Sequence, residues 1–429
     1  MERRIDKPFG DAKVTMAQET RGNFGSDYAL MATWPVWIFS ACIVALSFKQ
    51  LRFGSFGGVV EWMTALIALV LLAEELRKGT LLQNRYIFGA AAIFAALSLG
   101  GIWAFFAEPQ RVNLRETAAY VFAFLVVVAF LTLARGRETK ALAILAVVIS
   151  LYLALVAILA FVPNALQPAM WYHGVRLQGL SDNPNQIALL SLVALLLLAH
   201  AELKGLLRRR SVVPLALVCA LTGSLADSAA FVATIALATG ILIVCAGFEH
   251  VTRDGGKLAK YKQRPIAFAL ACLLILGIFG HQFLPPVGSV VEALNLSFRL
   301  PVLEETSSAA PPPVSLPDRT PLANLVESEA VTGAVRVELW SQALSVGARS
   351  PLVGLGPGYH LPANTPDSPL EAHNTILDLF LVSGVVGLLP LVVIGGLALW
   401  GGCRSGQLMI VLLMGAAILS FAQFHFVGR

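Results

Sequence analysis

Charge is scarce in this chain of 429 residues: Asp, Glu, Lys and Arg make up 13% of it, against roughly 25% in an ordinary soluble domain. A water-soluble fold of this size needs far more polar surface than that. The scarcity excludes a soluble enzyme, a nucleic-acid-binding module and a disordered chain. Cysteine is scarce as well. The five cysteines (Cys42, Cys219, Cys245, Cys272 and Cys403) lie mostly inside apolar runs, so no disulfide framework is expected. The first 29 residues are polar and lack the apolar core of a secretory leader, so no cleaved signal peptide is expected. What fills the sequence instead is apolar side chain, 57% of all residues, with a mean hydropathy of +0.75. The apolar runs are continuous rather than alternating, which excludes a transmembrane barrel.

The expected fold is therefore an all-α polytopic membrane protein. A helix needs about 20 apolar residues to cross the hydrocarbon core. Eleven crossings are read, with ten to twelve as the range: Tyr28–Phe48, Gly54–Ala73, Tyr86–Phe106, Ala118–Ala134, Ala141–Val162, Asn185–His200, Val212–Ala226, Ser228–Phe248, Ile266–Leu284, Thr375–Trp400 and Leu408–Phe426. With the N-terminus in the cytoplasm, 21 of the 31 Lys and Arg residues fall on the inner side and none is stranded within a crossing. That bias fixes the expected orientation. It also explains the net charge of +5 without any nucleic-acid partner.

The chain then divides into a cytoplasmic tail over 1–27, nine transmembrane helices over 28–284, one large extracytoplasmic loop over 285–372, and two last helices over 373–429. A loop of that length is expected to carry structure of its own. Its middle, Thr306 to Pro321, is rich in Ser, Ala and Pro and reads as flexible or polyproline. Its end, Ala334 to Ala348, spaces Val337, Trp340 and Leu344 as a helix would, which predicts a short amphipathic helix lying at the outer membrane surface. A Gly/Pro turn, S-P-L-V-G-L-G-P-G-Y-H, follows from Ser350 to His360.

Few polar residues stand where chemistry at an outer membrane face would need them. His373 and Asn374 precede the tenth helix in E-A-H-N-T-I-L-D-L-F, with Glu371 just before them. Arg336 lies four residues ahead of Trp340, and His360 closes the Gly/Pro turn. Arg176 lies in a shorter outer loop, and Asn183-Pro184-Asn185 opens the sixth helix. Each has an ordinary structural explanation. An Asn before Pro suits a helix start, and Arg with Trp suits an interfacial anchor. Gly354, Gly356 and Gly358 suit turns, since no P-loop lysine follows them.

The combination is more specific than its members. R-x-x-G-x-x-x-N-P-N opens one helix, R-x-x-x-W and P-x-x-G-x-G occupy the large loop, and H-N begins a helix that continues through Gly384 and Gly387 in L-V-S-G-V-V-G-L. In this the sequence resembles the O-antigen ligase and polysaccharide polymerase superfamily of bacterial membrane glycosyltransferases, from about Leu177 to the C-terminus. One place departs from the family pattern. Where the family commonly shows a Ser-Arg pair, Thr222 to Phe231 reads T-G-S-L-A-D-S-A-A-F, with Asp227 and no Arg.

The resemblance implies a polyprenyl-diphosphate-linked glycan as donor, a glycan or lipid A-core as acceptor, a chain-length regulator as a further partner, and a multi-pass protein of the bacterial inner membrane. A diphosphate leaving group needs charge stabilisation, which paired guanidiniums supply through forked hydrogen bonds. Arg176 and Arg336 are the expected pair. The acceptor hydroxyl needs its proton removed as it attacks, a task for neutral imidazole. His373 is the expected base, with Asn374 or Glu371 to orient it and His360 as the second candidate. Asn185 and Trp340 are expected to line the substrate. No Asp-x-Asp motif or metal cluster is read in the outer loops, so neither a metal nor another cofactor is expected. The expected activity is polymerisation of a surface polysaccharide. The alternatives are ligation of the chain to lipid A-core and, in a different class, a flippase or transporter.

Overall fold

The computed structural model describes residues 34–47, 58–79, 85–107, 114–172, 176–181, 183–226, 228, 231, 234–235, 340–356, 375–405, 411 and 414–415. Within them the chain is helical: α1 Trp34–Ala45, α2 Val59–Arg77, α3 Arg85–Ala107, α4 Leu114–Ala134, α5 Glu138–Phe161, α6 Pro184–Leu203, α7 Arg209–Leu225 and α8 Thr375–Ser405. Each of these eight overlaps one expected crossing. Among the described residues, four stretches are long and apolar enough to span a membrane: Thr117–Ala134, Glu138–Phe161, Pro184–Leu203 and Ile376–Arg404. The expected crossing at Ile266–Leu284 lies outside the described residues, and those at Ser228–Phe248 and Leu408–Phe426 are described only at isolated positions.

The helix ends follow local chemistry. Glu61 accepts the Gly58 backbone N–H at 2.8 Å and so closes the first turn of α2. At the other end of α2, the Arg77 guanidinium grips Glu74 through two hydrogen bonds of 2.9 and 3.1 Å. That contact, reinforced by Lys78, holds the Glu74 carboxyl below its ordinary value. Asn183 caps α6, its side chain accepting the Asn185 backbone N–H at 2.9 Å, with Pro184 in the first helical position, where its missing N–H costs nothing.

The main core lies where α5, α6 and α7 pack together, with Val44 of α1 at its edge. Its buried side chains include Leu153, Val156, Ile187, Leu192, Leu198, Cys219 and Phe231. Lipid gives helices no hydrophobic reason to associate, so small polar side chains act as fasteners. Ser191 Oγ meets Thr222 Oγ1 at 3.1 Å, joining α6 to α7, and Ser150 Oγ meets Cys219 Sγ at 3.3 Å, joining α5 to α7. From this core the packing runs through α1 to α2 and α4, then to α3, and from α3 to α8.

Two features were not expected of an all-helical chain. The connection between α5 and α6 contains a 3-10 turn, Gln167–Met170, and a two-stranded antiparallel ribbon, β1 Trp171–Tyr172 and β2 Arg176–Leu177. The tenth crossing, read as continuous, is broken within α8 at Gly384, with φ 61° and ψ −160°, a conformation open only to glycine in practice. The break is filled by the Gly/Pro turn. Leu355 and Gly356 N–H donate to the carbonyls of Leu381 and Val382 at 2.6 and 3.0 Å, and Val385 and Val386 N–H donate to those of Pro351 and Leu352 at 2.9 and 3.1 Å. These are the four groups that an unbroken helix would pair with one another, so the loop replaces these lost rungs and gives the four groups partners in an apolar setting.

Residues 340–347 are helical, as expected, but the packed face differs from the expected stripe. Ala343 and Val346 are buried against Leu381, and Gly347 faces the Phe380 ring, whereas Trp340 and Leu344 point outward. The small residues let the helix lie close against α8, a cue that spacing of large apolar residues alone does not give. Val337 lies outside the described residues.

Candidate functional site

Arg176 is held by three separate pieces of the chain. The first is the ribbon. In register, Tyr172 pairs with Arg176 and Trp171 with Leu177. Side chains alternate along a strand, so burial of Leu177 in the main core turns Arg176 the other way, half-buried at the core's end. The ribbon is itself pinned to α5, whose last carbonyls need partners. Asn164 Nδ2 donates to Leu159 O at 2.8 Å, and Gln167 Nε2 and Trp171 Nε1 donate to Ala160 O at 3.2 and 3.4 Å. After β2 the chain turns back sharply, the N–H groups of Gln178 and Gly179 both donating to Met170 O at 2.9 and 3.1 Å.

The second and third pieces are helix ends. Arg176 Nε donates to the carbonyl of Ala226, at the C-terminus of α7, at 3.1 Å. A helix C-terminus carries partial negative charge and suits a cation. Arg176 Nη2 donates to Asn185 Oδ1, in the first turn of α6, at 3.3 Å. Among the described residues Nη1 makes no hydrogen bond. The guanidinium is thus oriented by two of its nitrogens and retains N–H groups able to fork onto an anionic oxygen pair.

Two expected site residues, Arg176 and Asn185, are therefore brought into contact. The segment from Thr222 to Phe231, which lacks the Arg of the family pattern, reaches the same place through the Ala226 carbonyl. Trp340 sits at the start of the 340–347 helix, on the separate cluster against α8, with 37% of its surface exposed. Arg336, His360, Glu371, His373, Asn374 and Asp227 lie outside the described residues. Among the described residues no three His, Cys, Asp or Glu side chains converge to hold a metal ion.

Sequence reasoning missed two contributors. The Ala226 carbonyl carries no side-chain signal and could not be found from sequence. The meeting of the Gly354–Gly356 turn with Gly384 did have one. Both stretches are spaced glycines in otherwise bulky apolar company, and a Cβ on Gly354 would collide with the backbone of Val382 and Ser383. Gly100 of α3 completes the junction, where a Cβ would stand 2.7 Å from the Val353 carbonyl.

Residues 211–392 match the protein family described as O-antigen ligase. The matched stretch takes in α7 from Ser211, the 340–356 segment and α8 through Val392, whereas Arg176 and Asn185 precede it. No curated protein and no solved structure matches the chain.

Proposed function

We propose, from the match of residues 211–392 to the family described as O-antigen ligase, that this chain is a membrane glycosyltransferase that moves a glycan from a polyprenyl-diphosphate donor to an acceptor hydroxyl at the outer face of the bacterial inner membrane. That family match is the observation that carries the reading. The preferred activity is polymerisation of a surface polysaccharide, on the likeness of R-x-E-x-W and P-L-x-G-x-G, Arg336 to Gly356, to exopolysaccharide polymerases.

In this reading Arg176 and Arg336 stabilise the departing diphosphate. The support from geometry is the Arg176 guanidinium, half-buried and fixed at Nε and Nη2, with no hydrogen bond from Nη1 among the described residues. Fixed donors aimed at developing charge lower a barrier more than mobile ones, because nothing has to reorganise during the reaction. His373 takes the proton of the acceptor hydroxyl as its oxygen attacks the anomeric carbon and the carbon–phosphate-oxygen bond breaks. Positioned base catalysis of this kind contributes about 10²–10⁴-fold. Direct attack inverts the anomeric centre. Asn374 or Glu371 orients the imidazole, and Trp340 packs on the substrate.

Purified full-length protein in detergent, given a polyprenyl-diphosphate oligosaccharide, is expected to join glycans with no ion gradient. Dependence on a gradient, with movement of the lipid and no joined product, would establish the transporter alternative. His373→Ala should abolish product while the protein still accumulates in the membrane, and near-normal activity would remove His373 as the base. Arg336→Lys keeps the charge and loses the fork, so full activity of that variant contradicts the bidentate role. In cells lacking the protein, single repeat units on lipid indicate a polymerase. Long lipid-linked chains beside uncapped lipopolysaccharide indicate a ligase.

A further inference from the structure

We propose that Asn185 serves glycan transfer as a positioning residue for Arg176, holding its guanidinium through Oδ1, and does not itself bind the donor. The inference rests on the reading of Arg176 as a phosphate ligand and deepens it. A guanidinium has only donors, so the Asn185 atom facing Nη2 has to be its oxygen. The amide orientation is thereby fixed by chemistry. Asn185 is well placed to be rigid. Its own backbone N–H is tied to the Asn183 side chain at 2.9 Å, and Pro184 between them locks the entry to α6.

The second hold is equally firm. Ala226 is the capping residue at the end of α7, its N–H bonded to Thr222 O, and its carbonyl accepts from Nε. Nε and Nη2 lie along one edge of the planar guanidinium. With that edge engaged by α6 and α7, the plane of the group is set, and Nη1 is presented in a direction dictated by two helix ends. A long arginine side chain left to itself has many rotamers, and freezing it costs conformational entropy. Here folding imposes that order before any donor arrives. The contribution of Asn185 should therefore exist only while residue 176 is an arginine.

The two roles open to Asn185 respond oppositely to a carboxylate. Asn185→Asp keeps an acceptor oxygen for Nη2, whereas an amide N–H that touched phosphate would be replaced by a repelling charge. The test is steady-state glycan transfer by the purified full-length protein with a polyprenyl-diphosphate oligosaccharide, comparing wild type, Asn185→Leu, Asn185→Asp, Arg176→Lys and the double variant Arg176→Lys/Asn185→Leu. Expected is a loss of about tenfold in kcat/KM for Asn185→Leu, the scale of one hydrogen bond to a charged group. Asn185→Asp should retain more activity than Asn185→Leu. On the Arg176→Lys background Asn185→Leu should add no further loss, since two residues acting through one contact are not additive.

Losses that multiply in the double variant would overturn the inference, because Asn185 then acts apart from Arg176. An Asn185→Asp variant weaker than Asn185→Leu overturns it too, and assigns the amide to the donor. Both outcomes leave the phosphate role of Arg176 standing. Full activity in Arg176→Lys is different: it removes the forked phosphate contact, and the role of Asn185 falls with it.

Discussion

Arg176 draws its fixed position from groups nine and fifty residues away in sequence, Asn185 Oδ1 and the Ala226 carbonyl. The turn that delivers it depends on Gly179, at φ 61°. A Cβ there would stand 2.9 Å from Ile187 Cδ1 and 3.1 Å from Val156 Cγ1, against two helices at once. Gly179→Ala is expected to destabilise the protein by about 1–2 kcal/mol through the left-handed backbone alone, with crowding in addition, and to lower its thermal unfolding midpoint in detergent. An unchanged midpoint would show that the turn relaxes without cost. The candidacy of Arg176 was legible in sequence, because a lone outer-loop cation beside Asn-Pro-Asn is conspicuous in so apolar a chain. Its partners were not. A backbone carbonyl has no sequence signature, and the sole hint in Thr222–Phe231 was the absence of an expected Arg. Asn185 was expected to line the substrate, and its observed contact is with Arg176.

At the scale of elements, the break in α8 is the feature that hydropathy cannot reveal. Leu381, Val382, Val385 and Val386 flank Ser383-Gly384 with apolar side chain, so the segment reads as one continuous crossing. What interrupts it is the Gly354–Gly356 turn, which satisfies the backbone groups that the break frees. A helix opened in an apolar surround without such replacement leaves polar groups that cost several kcal/mol each. Gly384→Ala meets both a positive φ and the backbone of Leu352. It is expected to cost about 1–3 kcal/mol and to loosen the 340–356 segment from α8. Gly395→Ala in the same helix is the control: a Cβ there meets nothing within 4 Å, and alanine favours helix over glycine. Thermal unfolding of the two variants should therefore separate, Gly384→Ala falling well below Gly395→Ala. Equal midpoints would contradict the clamp. The 340–347 helix shows a related limit of pattern reading. Spacing of Val337, Trp340 and Leu344 signalled a helix, but close packing on α8 uses the small residues Ala343 and Gly347.

For the whole molecule, composition already required a helical membrane protein, and the eight described helices overlap expected crossings because long apolar runs are the strongest signal a sequence carries. Pairing among helices was not legible. That α3 packs on α8 while α5, α6 and α7 form the core is set by small residues such as Gly100 and by polar fasteners such as Ser191 with Thr222, which hydropathy does not weigh. The proposed chemistry requires one orientation above all. His373 has to face the outside, where a lipid-delivered donor is the available source of glycan, and the far end of α8 then lies inside. The chain supplies its own inner marker in Cys403, which is exposed near the end of α8. The most direct measurement is labelling of intact and permeabilised cells with a membrane-impermeant maleimide, using the chain with Asn374→Cys and the same chain with Cys403→Ser added. The account predicts that position 374 is labelled in intact cells and that the Cys403 signal appears only after permeabilisation. Labelling of Cys403 in intact cells, with position 374 shielded until the membrane is opened, would contradict it.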